Sequence, residues 1–305
     1  MDVKLFSTRC AICNTEGNAT VLYPANFNKD TFNSAVFSAR RLPDRFHYRM
    51  VRCNDCGLVR ADPVADSVIL EQLYATSSFD YADEVASLQL TYGHYLGKLE
   101  SLGARKEALL EIGCGNGFFL EQALAQGYAE VQGIEPSQAA VDKAHPNVRS
   151  FIVCDIMRPG IFEANRFDGI CLFQVFDHIS DPGALLAECF RILRPGGFLL
   201  CLNHNIEAVS ARLLKERSPI IDIEHTYLYS PDTISRIMLA HGFRIRDVGS
   251  ARNSYTLHYL TRLVPMPMAI KLLALAGLRN SFVGRIRLRV HLGNLYIISC
   301  KPCED

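Results

Sequence analysis

The sequence predicts an α/β fold, a doubly wound and largely parallel sheet preceded by a small cysteine-rich segment. Three observations predict it. Short apolar runs alternate with helical patterns from Ala108 to about Asn205, the signature of βαβ units. A glycine turn, "LLEIGCGNGFF", follows the first of those runs and opens the first helix, where backbone N–H groups gather. Ahead of both stand two C-x2-C pairs, Cys10/Cys13 and Cys53/Cys56.

The cysteine segment, residues 1–65, comes first. The chain has 11 cysteines, and four of them supply the thiolates of a closed, tetrahedral structural zinc site in a zinc-ribbon-like unit. With no ligand position left open, that metal is expected to fold the segment and do no chemistry. Cys300 and Cys303 repeat the spacing without a second pair nearby. They read as ordinary packing residues, as do Cys114, Cys154, Cys171, Cys189 and Cys201.

Residues 66–105 hold few glycines and several tyrosines, and read as a helical linker or cap over the cofactor site. Residues 106–305 form the main domain. Its predicted strands are 108–112, 129–134, 149–154, 167–173, 197–203, 243–248 and 294–300, seven in all, and the sheet is Rossmann-like. Helices are expected at 118–127, stopped by Gly127, and at 137–144, with Ser137 as N-cap. A third spans 181–193, where Asp181 caps and Pro182 takes the first turn. Ser230 and Pro231 open a fourth, which Gly242 ends. The segment at about 252–290, mixed basic and apolar, is expected to be an insert over the sheet edge that acts as a lid.

Composition bounds the function. Among 305 residues 49% are hydrophobic and 21% charged, enough to bury a large core. Lys+Arg and Asp+Glu number 32 each, so no net charge draws the chain to nucleic acid or to an anionic membrane. The N-terminus lacks the apolar run of a signal peptide. The most lipophilic stretch, "LVPMPMAIKLLALAGL" at 263–278, is broken by two prolines and Lys271 and is too short to span a bilayer. The expectation is a cytoplasmic protein with no transmembrane segment and no nucleic-acid partner. The oligomeric state is left open.

The glycine turn carries the chemistry. Glycines fall at 113, 115 and 117, Glu111 precedes them, and Phe118 stands where a dinucleotide fingerprint would need its third glycine. This E-x-G-x-G-x-G form, with Glu135 ending the second strand, resembles the class I S-adenosylmethionine (SAM)-dependent methyltransferases. "VCDIM", "FDGICLFQVFDHISDP" and "RILRPGGFLL" extend the resemblance over about 108–205. It implies SAM as cofactor and a seven-stranded methyltransferase sheet with helices on both faces. It implies contacts from Glu111, Gly113, Gly115, Gly117 and Gln174, ribose hydrogen bonds to Glu135, and adenine contacts from Asp155 and Ile156.

A sulfonium methyl is already activated, so the enzyme must mainly align a nucleophile and remove its proton. His178, after the fourth strand, and Glu224–His225 in "IDIEHTYLYSPDT", after the fifth, are the candidate proton handlers. Ahead of the helix start at Ser230–Pro231 the pair could equally end a strand, and His178 could simply lie in a loop that caps the next helix.

A narrower resemblance sharpens the choice. The segment "YRMVRCNDCGLVRADPVADSVILEQLYATSS" and the motif "IEHTYLYS" look like those of sugar C-methyltransferases with a zinc-binding head. In those enzymes the Glu-His pair is implicated in deprotonating carbon beside a keto group, which implies catalytic His225 (tuned by Glu224) and His178, with Tyr74 or Tyr81 lining the pocket. Their long C-terminal domain is expected to be lacking here, the sequence ending at Asp305. The function expected is methyl transfer to carbon or oxygen of a small molecule, a sugar or secondary-metabolite intermediate. The alternatives are an RNA or protein methyltransferase, for which a basic groove is not evident, and a non-catalytic module that binds SAM and zinc. "FQVFDH" lacks the prolines of enzymes that methylate base amino groups.

Overall fold

In a computed structural model the described residues are 4–27, 46–76, 85–263, 266–279 and 281–303. Seven strands form the central sheet: β1 Ala108–Ile112, β2 Glu130–Ile134, β3 Ile152–Val153, β4 Phe167–Phe173, β5 Leu193–His204, β6 Arg244–Ser250 and β7 Asn294–Cys300. Their order is β6-β7-β5-β4-β1-β2-β3, with β7 alone antiparallel to its neighbours. This mixed seven-stranded sheet is the one the resemblance implies. β1 and β4 are buried along their whole length, which is why "ALLEI" and "FDGICLF" read as continuous apolar runs and do not alternate.

Both faces are covered. Helix Phe118–Ala125 and helix Val85–Ser101 pack on one, and Tyr92 of the second stacks on Phe173 of β4 with ring centroids 4.0 Å apart. Helices Pro182–Ile192 and Pro231–Ala240 pack on the other, against Leu110, Ile170, Leu199 and Ile297. Ser137, Asp181 and Ser230 cap helices through side-chain acceptors.

Two strands differ from expectation. The third is only Ile152–Val153, because Pro146 starts a helical turn, Pro146–Arg149, capped by the His145 ring. The fifth begins at Leu193 and runs to His204. Its Arg194–Gly197 stretch shifts register against β4 and does not break the strand. Among the described residues of 66–105 there are two helices, Ser67–Ala75 and Val85–Ser101.

The N-terminal segment contributes a four-stranded sheet whose order is Tyr227–Leu228, Val59–Ala61, Met50–Cys53, Ala19–Tyr23. The first of those strands belongs to the chain that follows Glu224–His225. The cysteine-rich segment therefore grips the far end of the main domain's own loop.

The insert leaves β6 at Ser250 and returns at Asn294. It opens with strand Asn253–Thr256, closes with strand Arg287–Val290 paired to it, and among the described residues between them holds three helices, Leu257–Leu263, Met268–Leu278 and Phe282–Arg285. Ser250 pairs with Leu295, and Asn294 with His204, so the insert rises from the carboxyl ends of the parallel strands.

Candidate active site

The glycine turn is a tight backbone cradle at the carboxyl end of β1. Gly113, Gly115 and Gly117 have φ of 74°, 55° and 74°, the left-handed region that only glycine enters without strain. A Cβ at Gly113 would lie 2.4 Å from Val175 Cγ2. The loop that follows β4 is thus seated directly on the glycine turn.

Glu135, at the end of β2, is buried, and its two oxygens each accept one backbone N–H, from Gly115 and from Ser137, both at 2.9 Å. Burial raises its pKa and those two N–H groups lower it, with burial the larger effect. A carboxylate has about four acceptor sites, so two remain for hydroxyl donors. Asp155, past β3, pairs with Arg158 at 2.5 and 2.6 Å, which lowers its pKa, and accepts from the backbone N–H of Ile156. Glu111 is buried on β1, and Gln174 follows β4 with φ 59°. All of these lie at the carboxyl ends of adjacent strands, where open α/β sheets bind ligands.

Beside this cradle, three imidazoles converge on one carboxylate. Asp177 is fully buried in the turn Phe176–His178. One of its oxygens lies 2.5 Å from His204 Nδ1, at the end of β5, and 4.0 Å from His225 Nε2. The other lies 3.8 Å from His178 Nε2. His225 stacks edge-on to His178 and tilted to His204, with centroids 4.8 and 4.6 Å apart. Its Nδ1–H donates to the Ile220 carbonyl at 2.8 Å, which leaves Nε2 as the proton-accepting nitrogen, facing Asp177. His178 Nδ1 meets the Tyr74 hydroxyl at 3.1 Å.

Charge follows from burial. Burial pushes the His178 imidazole down to about 3, against the raising effect of Asp177, and holds His225 below the usual histidine value. Asp177 goes the other way. Burial opposes its ionisation, but the imidazoles of His204, His178 and His225 outweigh it and hold the carboxyl well below the usual range. Tyr74 is raised by burial first and then by the charge of Glu224, so it stays a phenol and a donor. The cluster therefore combines the neutral imidazoles of His178 and His225 with one ionised carboxylate, a set able to accept a proton and stabilise the cation that forms. By spacing Asp177, His178 and His225 could also hold a metal ion.

Backbone bonds hold His225 in place from both sides. The next residue, Thr226, donates its N–H to the Asp177 carbonyl and accepts from Ala61 N–H, each at 2.9 Å. Tyr227 pairs with Arg60, and its hydroxyl donates to the Arg9 carbonyl at 3.0 Å.

The sulfurs of Cys10, Cys13, Cys53 and Cys56 lie within 4.8 Å of one another, three of them buried, and could hold a metal. Burial pushes the Cys56 thiol up. Cys53 is lowered to about 7, because N–H groups of Cys56 and Asp55 outweigh its burial.

Of the residues expected from the sequence, Glu111, Glu135, Asp155 and Gln174 stand at the carboxyl ends of β1 to β4, His178 and His225 meet at Asp177, and Glu224 is buried next to His225 with its charge acting on Tyr74. Tyr81 lies outside the described residues. Asp177 and His204 were missed. The signal for Asp177 was its position beside His178 in "FDH"; His204 stood one residue past the expected end of its strand.

Residues 88–248 match a family model described as a methyltransferase domain. The ubiquinone biosynthesis O-methyltransferase of Pseudomonas aeruginosa (strain LESB58) is 27% identical over 180 residues, covering 52% of this chain and 75% of that protein. Its namesake in Coxiella burnetii (strain Dugway 5J108-111) is 26% identical over 152 residues, with 46% and 64% covered. Among solved structures, the YcgJ protein of Bacillus subtilis aligns with a TM-score of 0.49 at 18% identity, over 69% of this chain and 99% of that one.

Proposed function

The chain belongs to the methyltransferase-domain family of SAM-dependent enzymes, and from that premise we propose that it methylates an oxygen or carbon of a small molecule, a sugar or secondary-metabolite intermediate, with His225 taking the proton. The observation that carries this reading is the contact between the two halves of the site. The loop bearing Asp177 and His178 rests through Val175 on the glycine turn. Relatives named as O-methyltransferases weigh towards oxygen as the methylated atom, and the Glu-His motif towards carbon.

SAM, when bound, supplies an activated sulfonium methyl. The chain's own residues do the rest. The backbone of Gly113–Gly117, too close to Val175 for any side chain at Gly113, would hold the methionine part, with Glu111 behind it and Gln174 beside it. The two free acceptor sites on Glu135 fit a pair of ribose hydroxyls, and Asp155 with Ile156 would take the adenine edge. An acceptor hydroxyl, or a C–H beside a keto group, gives its proton to His225 Nε2. The imidazolium so formed is stabilised by the ionised Asp177 carboxylate, itself oriented by His204. Glu224 tunes the cluster from the Tyr74 side, and Tyr74 and His178, hydrogen-bonded to each other, would flank the acceptor.

Cys10, Cys13, Cys53 and Cys56 would hold a structural zinc. The lowered Cys53 thiol and the convergence of four sulfurs fit that ion. In this reading residues 1–65 act as the clamp on the Glu224–His225 loop, 66–105 as the cap, and 106–305 as the catalytic domain.

The test has two stages, calorimetry with SAM and then product mass and NMR assignment over a panel of keto-sugars and phenols. The reading expects micromolar SAM binding, a typical enzyme affinity, and a product heavier by one methyl. Failure to bind SAM contradicts it.

A further inference from the structure

The chain's balanced charge hides a local segregation. Between Arg252 and Val290 there are seven Lys or Arg and no Asp or Glu, which leaves 25 cations against 32 anions in the rest of the chain. Lys271, Arg279, Arg285, Arg287 and Arg289 have no carboxylate partner among the described residues.

The same segment shows its apolar side outward. Helix Met268–Leu278 carries one charged residue, Lys271, and that side chain is half-buried together with Ala274, Leu275 and Leu278. Its solvent side presents Ile270, Leu272 and Leu273, exposed by 60%, 60% and 78%. A surface helix of a globular protein normally does the reverse. The adjoining turn Phe282–Arg285 adds Phe282, 84% exposed. A surface of this kind, apolar and rimmed by unpaired cations, marks a docking site.

We propose that the 252–290 insert docks the enzyme on an anionic lipid bilayer, with the exposed apolar side chains entering the interface and the unpaired cations meeting lipid headgroups. An 11-residue helix is too short to cross a bilayer but long enough to lie in its interface. A second copy of the chain is a poorer occupant, since an isologous contact would bring two acid-free cationic segments together.

The position gives the docking a purpose. Strands β6 and β7 launch and receive the insert at the rim that holds the glycine turn and His204. The backbone N–H groups of Ser254 and Arg252 donate to Thr91 Oγ1 and the Tyr95 hydroxyl, at 2.9 and 2.8 Å. Both acceptors lie on helix Val85–Ser101, whose Tyr92 also stacks on Phe118 at the start of the cofactor helix. A docked insert would thus turn the mouth of the crevice towards the membrane. This surface is separate from the catalytic reading, and its test needs neither SAM nor an acceptor.

The experiment is flotation of the full chain with vesicles of phosphatidylcholine alone or mixed with phosphatidylglycerol, at low and at high salt, with light scattering for oligomeric state. Binding is expected only to the mixed vesicles and should weaken with salt. Each cation removed in Arg285→Gln, Arg287→Gln and Arg289→Gln should cost about fivefold in partitioning. Leu273→Asp with Phe282→Asp should abolish it, while Tm, measured in parallel, stays unchanged and reports that the variants fold. The proposal is overturned by absence of vesicle binding, by binding that survives these substitutions, or by self-association that Leu273→Asp dissolves in place of membrane binding.

Discussion

Replacing Asp177 by Asn tests the proton-handling cluster most sharply. Asn has the same shape and can still accept from His204 Nδ1–H, so the buried turn keeps its packing and the Asp177 carbonyl keeps its bond to Thr226. What goes is the charge. At the 4.0 Å separation from His225 Nε2, one negative charge stabilises an imidazolium by about 4 kcal/mol at an effective dielectric of about 20. His204 opposes part of that, because it lies 2.5 Å from the same oxygen and itself lowers His225. About 3 kcal/mol remains, or a loss of about 10²-fold in the methyl-transfer step. Single-turnover transfer with saturating SAM reads that step, and calorimetry reads SAM affinity, which should hold because the carboxylate makes no bond to the glycine turn. Asp177 raises the His225 pKa, so its removal should move the acid limb of the pH–rate profile to still lower pH. A merely structural role would leave that limb where it was. Turnover within threefold of the parent, or an unmoved acid limb, would refute the reasoning.

Three other predictions follow from the same geometry. Gly113→Ala places a methyl against Val175 at a φ of 74°, which costs about 1–2 kcal/mol for the left-handed conformation and about 1–3 more for overpacking, seen as a drop of several degrees in Tm together with weaker SAM binding. If the four cysteines hold zinc as proposed, chelating it, or Cys53→Ser, should loosen Tyr227–Leu228 from Val59–Arg60 and lower turnover about 10²-fold through misplacement of His225, while calorimetric SAM affinity changes little. His178 and His225 have lowered pKa values, so the unfolded chain binds more protons than the native one as pH falls below the ordinary value of 6.5. Urea midpoints should therefore decline from about pH 6.5 towards the folded His178 value of about 3, each proton costing about 1.4 kcal/mol per pH unit.

Local features of this protein were legible in the sequence. The buried runs of β1 and β4, the Ser and Asp caps and the glycine turn are each written in a few consecutive residues, and the structure has them where the pattern puts them. Glu224–His225 was legible as a motif but not as a place. The place depends on Tyr227–Leu228 pairing with Val59–Arg60 and on Thr226 bridging Ala61 and Asp177, contacts between segments far apart in the chain. The pairing of Asp177 with His204 is of the same kind, joining the ends of two parallel strands that a helix separates. The orientation of helix Met268–Leu278 escaped for another reason. Apolar periodicity says which residues share a face, and ordinary burial would turn that face inward, whereas here Leu272 and Leu273 face solvent.

The most direct test of the central claim is a His225→Ala variant followed in two channels, SAM binding by calorimetry and single-turnover methyl transfer across pH. The account predicts SAM affinity unchanged within about twofold and transfer slowed by about 10²-fold or more, the usual worth of a positioned general base. Full turnover at every pH would contradict it.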